Sequence, residues 1–460
     1  MTEHTEMNTM EKIVSLAKRR GFVFPGSDIY GGLKGTWDLG PLGVALNNRI
    51  KTEWWKMFVD GREDMYGLDA SILMNERVWE ASGHTGAGFS DPLIEDTKTG
   101  ERFRADHFLS DNDIEAEGLT AAEMDVLIAE NGLKSPAGNA LSEVKDFNLM
   151  FETQVGAEGK HKSYLRPETA QGIFVNFKNV VDTMAPKMPF GIAQIGKAFR
   201  NEIAPREWLF RVREFEQMEI EYFVEESQWE AEYEKMLIDL RAWHQHIGLA
   251  DENIREFEVP ENDLAHYSKR TIDFEYNYPG KGFDELAGFA YRTDHDLKNH
   301  EEASGTKMRY TPVEGAPFIP HVLEPSFGIG RALTAVLCEA YTEDTMGEST
   351  RVYLKLPTHL APYRVAVSPL LKNKPQLVEK AREVFVALKA EFGNVAWDDN
   401  GNVGKRYRRQ DEIGTPHCVV VDFETLGDED AGLIDTVTVR NRDTGEQERV
   451  AIEGLAEYLK

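Results

Sequence analysis

The apolar positions of this chain fall into helical and strand-like stretches. Helical spacing runs through residues 10–20, with Ile13, Leu16 and Ala17 on one face. It recurs after Pro41, a residue suited to a first helical turn, through Val44, Leu46, Ile50, Trp54 and Trp55. A further helix is predicted from about 165, continuing through Ile173, Phe174, Phe177 and Val181. Residues 228–247 form a plain amphipathic helix, with Trp229, Tyr233, Met236, Leu237, Leu240 and Trp243 facing one way. Strands are expected at 72–79 (with a turn), 190–195, 271–276 and 281–291. A proline-punctuated linker at 356–362 separates this part from a regular alternation: strand 363–367, helix 374–392, strand 395–397, helix 402–412, strands 418–422 and 435–440. That alternation predicts a second, α/β domain of about 100 residues.

One hairpin-like stretch departs from core patterning. Its first arm is 198–202, its loop passes Pro205, and its second arm is 210–223. On the second arm Val212, Met218, Ile220, Tyr222 and Val224 share one face, interrupted by Glu214 and Glu216. Arg211, Arg213, Phe215, Gln217, Glu219 and Glu221 share the other. That face offers guanidiniums for phosphate, a flat ring for stacking, and carboxylates for an ammonium or a metal. Arg200 and Glu202, two apart, share a face of the first arm. A salt-bridged, half-solvated hairpin would carry the same pattern. Features further along the chain weigh for a site.

Residues 318–331 run into a helix that buries Leu333, Val336, Leu337 and Ala340. Val322, Glu324 and Ser326 alternate toward one side of the preceding strand, Gly328 and Gly330 open the helix, and Arg331 lies in its first turn. Free amides, helix dipole and guanidinium together make a polyphosphate cradle. Pro167 and Glu168 suit a helix start, where Glu168 is equally a capping charge. Glu285, next to Asp284 on an otherwise apolar strand, is a metal-ligand candidate or a turn-terminating acid. A glycine-rich loop spans 81–92; its His84 has no neighbouring His or Cys, which argues against a metal role. Arg102 and Arg104 share a face if 101–107 is extended, and 111–143 reads as a polar inserted subdomain.

Composition narrows the classes. The chain has 460 residues, 41% hydrophobic and 29% charged, with a formal net charge of -28. Its length calls for more than one domain. No apolar run approaches the roughly 18 to 20 residues of a membrane span, and no apolar signal segment opens the chain, so a cytoplasmic protein with no membrane partner is expected. The only cysteines, Cys338 and Cys418, lie in apolar runs and are expected to be buried free thiols. The acidity argues against indiscriminate nucleic-acid binding. A specific contact is still open to the dense basic patch Lys405, Arg406, Tyr407, Arg408 and Arg409, extended by Arg440 and Arg442, with Tyr407 able to stack on a base. A solvated helix face would read the same way.

These motifs resemble a family. Phe-Arg-Asn-Glu at 199–202 with Arg-Val-Arg-Glu-Phe at 211–215 looks like motif 2 of class II aminoacyl-tRNA synthetases. Gly-Ile-Gly-Arg at 328–331 resembles motif 3, and Gly40-Pro41 with its helix resembles motif 1, which builds the dimer interface in that class. Four stretches resemble the homodimeric glycyl-tRNA synthetases: Gly-Phe-Val-Phe-Pro-Gly-Ser at 21–27, Thr-Trp-Asp-Leu-Gly-Pro-Leu-Gly at 36–43, Leu-Arg-Pro-Glu-Thr-Ala-Gln-Gly at 165–172, and Gly-Lys-Arg-Tyr-Arg-Arg-Gln-Asp-Glu-Ile-Gly-Thr-Pro at 404–416. The resemblance covers nearly the whole chain and is weakest at about 86–160. Relatives often carry a paired Cys-x-x-Cys there; this chain has Asp-Thr-Lys-Thr at 96–99, so no structural zinc is expected.

The resemblance implies an α+β catalytic domain over 1–355, an antiparallel sheet flanked by helices, with the insertion at 86–160. It implies an α/β anticodon-binding domain over 356–460. It implies ATP and Mg2+ as cofactors, and glycine and tRNA(Gly) as partners of a homodimer. Arg200 and Arg331 would be the catalytic residues, on the α- and γ-phosphates. ATP would meet Arg200, Asn201, Glu202, Phe210, Arg211, Val212, Arg213, Glu214, Phe215, Glu285, Leu286, Gly328, Ile329, Gly330 and Arg331, with Phe215 on the adenine and Glu285 toward Mg2+. Glycine would sit among Arg104, Glu168, Phe215, Glu216, Gln217, Met218, Glu219, Glu324, Pro325, Ser326, Phe327 and Gly328. Two other readings compete: a class IIa synthetase for serine, threonine or proline, and an inactive synthetase-like nucleic-acid-binding subunit. Arg200, Glu202, Arg331 and Glu324 are all present, which favours an enzyme.

Overall fold

The computed structural model describes residues 8–460 apart from 87–88, 117, 158–160, 206, 347–348 and 429–430. Parts of the expected 81–92 loop and of the 86–160 insertion, and the first seven residues read for a signal segment, lie outside the described residues. The largest sheet has seven strands, β1 (Met65–Gly67), β2 (Phe190–Phe199), β3 (Glu214–Val224), β4 (Ile254–Glu258), β5 (Arg270–Tyr278), β6 (Gly282–Thr293) and β7 (His321–Gly328). They lie in the order β4-β5-β6-β7-β3-β2-β1, antiparallel except for β1 beside β2.

Strand alternation sends side chains to two cores. Helices α1 (Thr9–Arg20) and α2 (Pro41–Trp55) pack on one face, where Met218, Ile220, Tyr222 and Val224 of β3 meet Leu46, Ile50 and Trp54. Helix α3 (Ala170–Met184) covers the other face with Ile173, Phe174 and Phe177 against Phe190, Ile192 and Phe223. Helix α4 (Trp229–His246) returns to the first core, α5 (His295–Ser304) to the second, and α6 (Ile329–Ala340) to the first. Asn8 caps α1 reciprocally with Glu11, both bonds 2.9 Å. Pro41 sits in the first turn of α2 as expected, and α2 presses so close to the preceding strand that a Cβ on Gly43 would lie 1.9 Å from the Phe22 carbonyl oxygen.

The structure corrects several expected elements. Residues 72–79 form no named strand: Leu73 makes one bridge to Leu165, and a helix begins at Glu76 because Asn75 caps it, accepting from the Arg77 amide at 3.0 Å. Helix α3 starts at Ala170, so Pro167 and Glu168 precede it. The intervening backbone is pinned to the hairpin: the Arg166 carbonyl accepts from the Phe199 amide at 2.9 Å and the Pro167 carbonyl from Arg200 at 3.2 Å. Strand β2 runs to Phe199, since it pairs with β3 along its whole length. Arg211, Val212 and Arg213 lie before β3, in the loop that closes the hairpin.

The insertion has its own small core around Ile94, Leu109 and Met124. At the tetrapeptide 96–99, buried Asp96 accepts from the amides of Lys98 and Thr99 at 2.8 and 2.9 Å and from Asn139 at 3.0 Å. One carboxylate thus ties the 96–99 turn to the 135–139 loop.

Beyond a hairpin at 341–354, strands β8 (Val365–Pro369), β9 (Val395–Trp397), β10 (His417–Val421), β11 (Thr436–Asn441) and β12 (Gln447–Ala451) form a five-stranded sheet in the order β9-β8-β10-β11-β12. Helix α7 (Pro375–Phe392) closes a separate core of Val365, Val367, Val384, Leu388, Val419 and Val421. Helix α8 (Val403–Glu412) ends at buried Glu412, which accepts from Arg19 of α1 at 2.8 Å. Cys338 and Cys418 are buried free thiols. No helix among the described residues is long and apolar enough to cross a membrane.

Candidate active site

A cavity of about 340 Å³ opens over the C-terminal half of β7, the start of β3 and the loop before it. Four arginines line it, Arg104, Arg200, Arg211 and Arg331. Arg200 emerges just past β2; its Nε donates to the Pro167 carbonyl at 3.2 Å, and its guanidinium lies 5.6 Å from the Phe89 ring and 5.5 Å from Phe215. Two aromatic faces and one backbone anchor therefore preset its position. Arg331, at the third position of α6, pairs with Glu285 at 2.7 Å and lies 4.5 Å over the Phe210 ring. Its guanidinium holds the Glu285 carboxyl below the usual range. Arg104 pairs with Asp91 at 3.1 Å and with Asp106. Burial pushes the carboxyls of Asp91 and Glu202 up. Arg211, Val212, Gln217, Leu286, Ser326, Gly328 and Gly330 complete the lining.

Beneath it the odd-numbered side chains of β3 meet the even-numbered ones of β7. Glu219 is buried and saturated: Oε2 accepts from the Thr169 amide at 2.9 Å and from the Thr169 hydroxyl, and Oε1 accepts from Gln217 and Ser326, each at 2.9 Å. Glu168 lies 3.3 Å from His84 and accepts from Gln171 at 3.1 Å. His84, for which no metal role was expected, is wedged between Trp79 and Phe89, its Nδ1 2.7 Å from the Ser82 hydroxyl. Arg292 is 2% exposed and forks onto Asp296, with both bonds at 2.8 Å, and onto Glu324 at 2.7 Å. Tyr267 covers that guanidinium at 3.9 Å. With Arg292 as its buried arginine against Glu168, Glu219, Glu221, Glu324 and Asp296, the pocket favours a cationic guest.

The structure brings together Arg104, Arg200, Glu202, Phe210, Arg211, Val212, Phe215, Gln217, Glu285, Leu286, Ser326, Gly328, Gly330 and Arg331 around one cavity. Others named from the sequence stand elsewhere. Glu216 and Met218 point to the opposite face, because residues one apart on a strand cannot share a side. Glu216 accepts from Asn47 of α2 at 2.9 Å, and Met218 is in the core. Phe327 and Ile329 are core residues too, and Pro325 follows Phe327 onto that face. Arg213 spends its fork on the carbonyls of Lys34 and Glu202, while Glu214 is exposed and pairs with Lys197 at 3.1 Å. The Asn201 amide donates to the Leu149 carbonyl at 2.8 Å. Sequence reasoning missed Arg292, Asp296, His84, Asp91 and Tyr267. Only Arg292 left a trace, as a cation ending an apolar strand four residues before an acid.

Comparison with known proteins agrees with this geometry. Residues 151–341 match the family model described as tRNA synthetase class II core domain (G, H, P, S and T). Glycine–tRNA ligases resemble the chain along nearly its whole length: that of Deinococcus radiodurans is 47% identical, with 98% of each chain covered. Those of Caldanaerobacter subterraneus and Staphylococcus saprophyticus are 48% and 46% identical, again with 98% of each chain covered.

The chain belongs to the glycine–tRNA ligase family.

A second model, described as anticodon binding domain, matches residues 364–460 of this glycine–tRNA ligase family member. That region holds the expected basic patch, and the structure revises it. Arg406 is buried and donates to the carbonyls of Pro369, Asp399 and Gly401. Arg440 forks onto buried Asp411 at 2.8 and 3.0 Å, and Tyr407 stacks on Arg440 at 4.8 Å. Arg442 donates to the carbonyls of Gly414 and Leu356, and Arg409 pairs with Asp398 at 2.6 Å. These cations serve as internal hydrogen-bond donors for loop carbonyls and carboxylates. Lys405 and Arg408 are the members of the patch that stand exposed. In this member of the glycine–tRNA ligase family, basic residues close in sequence therefore do not form one solvated face.

Proposed function

We propose that this chain joins glycine to ATP, forming glycyl-adenylate and releasing pyrophosphate, and passes the glycyl group to the 3′-terminal ribose of tRNA(Gly). The observation that carries this reading is the contact between two sites of opposite sign: an arginine-walled cavity directly above a buried carboxylate pocket. The first suits a polyphosphate and the second an ammonium. A chemistry that needs both at one point is attack of an amino acid's own carboxylate on a nucleotide phosphorus. The serine, threonine, proline and binding-subunit readings lack support from the relatives named above, which are glycine–tRNA ligases.

No protein nucleophile is required. Catalysis is alignment and charge stabilisation. Arg200, preset by two rings, meets the α-phosphate; Arg331 leaves Glu285 for the γ-phosphate; Phe215 offers its ring to the adenine. Glu202, Phe210, Arg211 and Val212 border the nucleotide. Mg2+ fits the donor set at the cavity edge, where Glu285 supplies a carboxylate and burial and Glu285 push neighbouring Asp273 up to about 7; Mg2+ takes one or two carboxylates plus substrate phosphates. When bound it neutralises phosphate charge.

The glycine ammonium enters between Glu168, Glu219 and Glu324, near Ser326. Rejection of alanine follows from the saturated wall. Contact alone separates substrates differing by one methylene by about 1–3 kcal/mol, but Glu219 accepts from Thr169, Gln217 and Ser326 and has no slack to retreat. Residues 1–355 carry this chemistry, with the insertion at 86–160, and residues 356–460 read the tRNA. The working unit is a cytoplasmic homodimer. Its contact lies at α2 and the glycine-rich loop before it, where Ile29, Tyr30, Leu33 and Val44 stand exposed.

The test is ATP–pyrophosphate exchange with Mg2+, run separately with glycine, alanine, serine and threonine. Exchange with glycine alone is expected. Exchange with another amino acid instead overturns the substrate, and no exchange from folded protein overturns the enzyme.

A further inference from the structure

Glu221 takes no part in the chemistry above, yet it is the most anomalous side chain in the molecule. It is 0% exposed, and neither carboxylate oxygen has a hydrogen-bond partner among the described residues. It lies on β3 two residues beyond Glu219, so it points into the same pocket. The register of β3 and β7, Glu219 opposite Ser326 and Tyr222 opposite Leu323, sets Glu221 directly across from Glu324. Directly opposed residues have Cβ atoms about 4.5–5.5 Å apart. Two buried carboxyls on opposed positions disfavour each other's ionisation.

The surroundings sharpen this. Glu324 already accepts from Arg292 at 2.7 Å, and Asp296 takes the rest of that fork. The groups acting on Glu221 are Glu324, Arg292, Glu219 and Asp296. Glu168 and Tyr267 add to the field at the pocket, His84 faces Glu168, and His300 contacts Gln171. Across β2, Ile192 and Gln194 face β3 without charge, and buried Arg166, packed against Gly196 of that strand, acts on Glu219. Buried Arg292 is shared among many acids. Burial and the neighbouring carboxylates push Glu221 up, and push Glu324 up to about 8.

We propose that Glu221 and Glu324 share one proton when the pocket is empty, and that the ammonium of the amino-acid substrate displaces it to solvent. Glu221 is then a positioning residue. It keeps Glu324 neutralised until a cation arrives, and substrate capture is coupled to proton release. The proton leaves by way of Glu324, the more exposed of the pair. The inference rests on the glycine-activating reading above.

The test is the pH dependence of the glycine KM in ATP–pyrophosphate exchange, for wild type and Glu221→Gln. If binding releases one proton, the wild-type KM falls about tenfold per pH unit between pH 6 and 7 and levels off near pH 8. Glu221→Gln supplies a neutral isostere, removes the carboxyl opposite Glu324 and the proton held between the two, and so weakens the dependence between pH 6 and 7. The ATP KM, measured in parallel, follows the same course in both proteins. A group outside the pair moves both proteins alike, so the difference between them isolates the pair. A flat wild-type KM, or an unchanged slope in Glu221→Gln, overturns the proposal while leaving glycine activation standing. Absence of any exchange with glycine overturns the functional reading itself, and the proposal with it. Should Glu221→Gln fail to fold, calorimetric titration of wild type with glycine, Mg2+ and a non-hydrolysable ATP analogue decides. Run at pH 7 in two buffers of different ionisation enthalpy, it counts protons directly: about one released per glycine supports the pair, and none overturns it.

Discussion

Arg292→Ala is the substitution that should disturb this molecule most for a single side chain outside the nucleotide cavity. Arg292 is 2% exposed, and its fork makes three short bonds: two to Asp296 at 2.8 Å and one to Glu324 at 2.7 Å. Hydrogen bonds to charged groups contribute roughly 1.5–3 kcal/mol each. Three of them are offset by the cost of drying the guanidinium. Removing one partner of a buried ion pair costs about 3–5 kcal/mol, because the other charge stays behind uncompensated. Here two carboxylates are left, so the upper half of that range applies. At about 2.1 cal/mol/K per residue, a unit of roughly 350 residues shifts about 1.4 °C per kcal/mol, so thermal unfolding should come about 5–7 °C earlier. Arg292→Lys keeps the charge but loses the fork and the stacking on Tyr267, and should fall between the two. Combining Arg292→Met with Asp296→Asn removes the stranded charge together with its partner and should recover part of the loss. Thermal melts read all three. In protein that stays folded, the glycine KM should rise more than the ATP KM, since Arg292 orients Glu324. An Arg292→Ala melt within about 2 °C of wild type would refute the reasoning.

Arg200→Ala should cut the rate of ATP–pyrophosphate exchange by about 10²–10³-fold, the scale for losing one preset donor to a developing negative charge, with the melting curve little changed. Burial pushes the His244 imidazole down to about 4, and neither ring nitrogen has a partner among the described residues. Its folded-state value lies below the unfolded one, so its contribution is fully present above pH 6.5 and is lost as pH falls toward 4, by about 3 kcal/mol; denaturant titrations of His244→Phe should lack that part of the acid sensitivity. Arg440→Ala leaves buried Asp411 with Arg351 alone, at 3.4 Å, and should destabilise the C-terminal unit by no more than about 3 kcal/mol in urea unfolding, whereas exposed Arg408→Ala should leave unfolding unchanged and raise the KM for tRNA(Gly) severalfold.

Elements whose patterning is local are legible in the amino-acid sequence. Helix α2 begins at its proline, and α4 lies within one residue of its expected limits at both ends. Strand β3 is legible in type, because period-2 alternation survives burial of either face. What it buries is not. Its odd-numbered face reads as too charged for a core, yet Gln217, Glu219 and Glu221 are all under 9% exposed. Sequence pattern counts charge but cannot show that Thr169, Ser326 and Arg292 arrive from distant segments to satisfy it. The start of α3 is misplaced by the sequence for a related reason. Pro167 and Glu168 have helix-start chemistry, but Arg200 and Phe199 bind the carbonyls of Pro167 and Arg166 and pin that backbone to the hairpin.

The amino-acid sequence by itself indicated the main helices, the charged hairpin and the change of pattern near residue 356, which follow from periodicity and punctuation, both local properties. Its motifs, through the family they resemble, implied Arg200, Phe215, Glu285 and Arg331 as members of one site. Only the tertiary structure decided which charges are available. It took Arg406, Arg440 and Arg442 out of solvent to satisfy loop carbonyls and Asp411. It sent Glu216 and Met218 away from the pocket, and it set Glu221 across from Glu324. The reason is that a charge acts through its surroundings. Burial, a cross-strand neighbour or a bidentate partner sets whether a carboxylate or guanidinium is free, paired or protonated, and these depend on residues far apart along the chain.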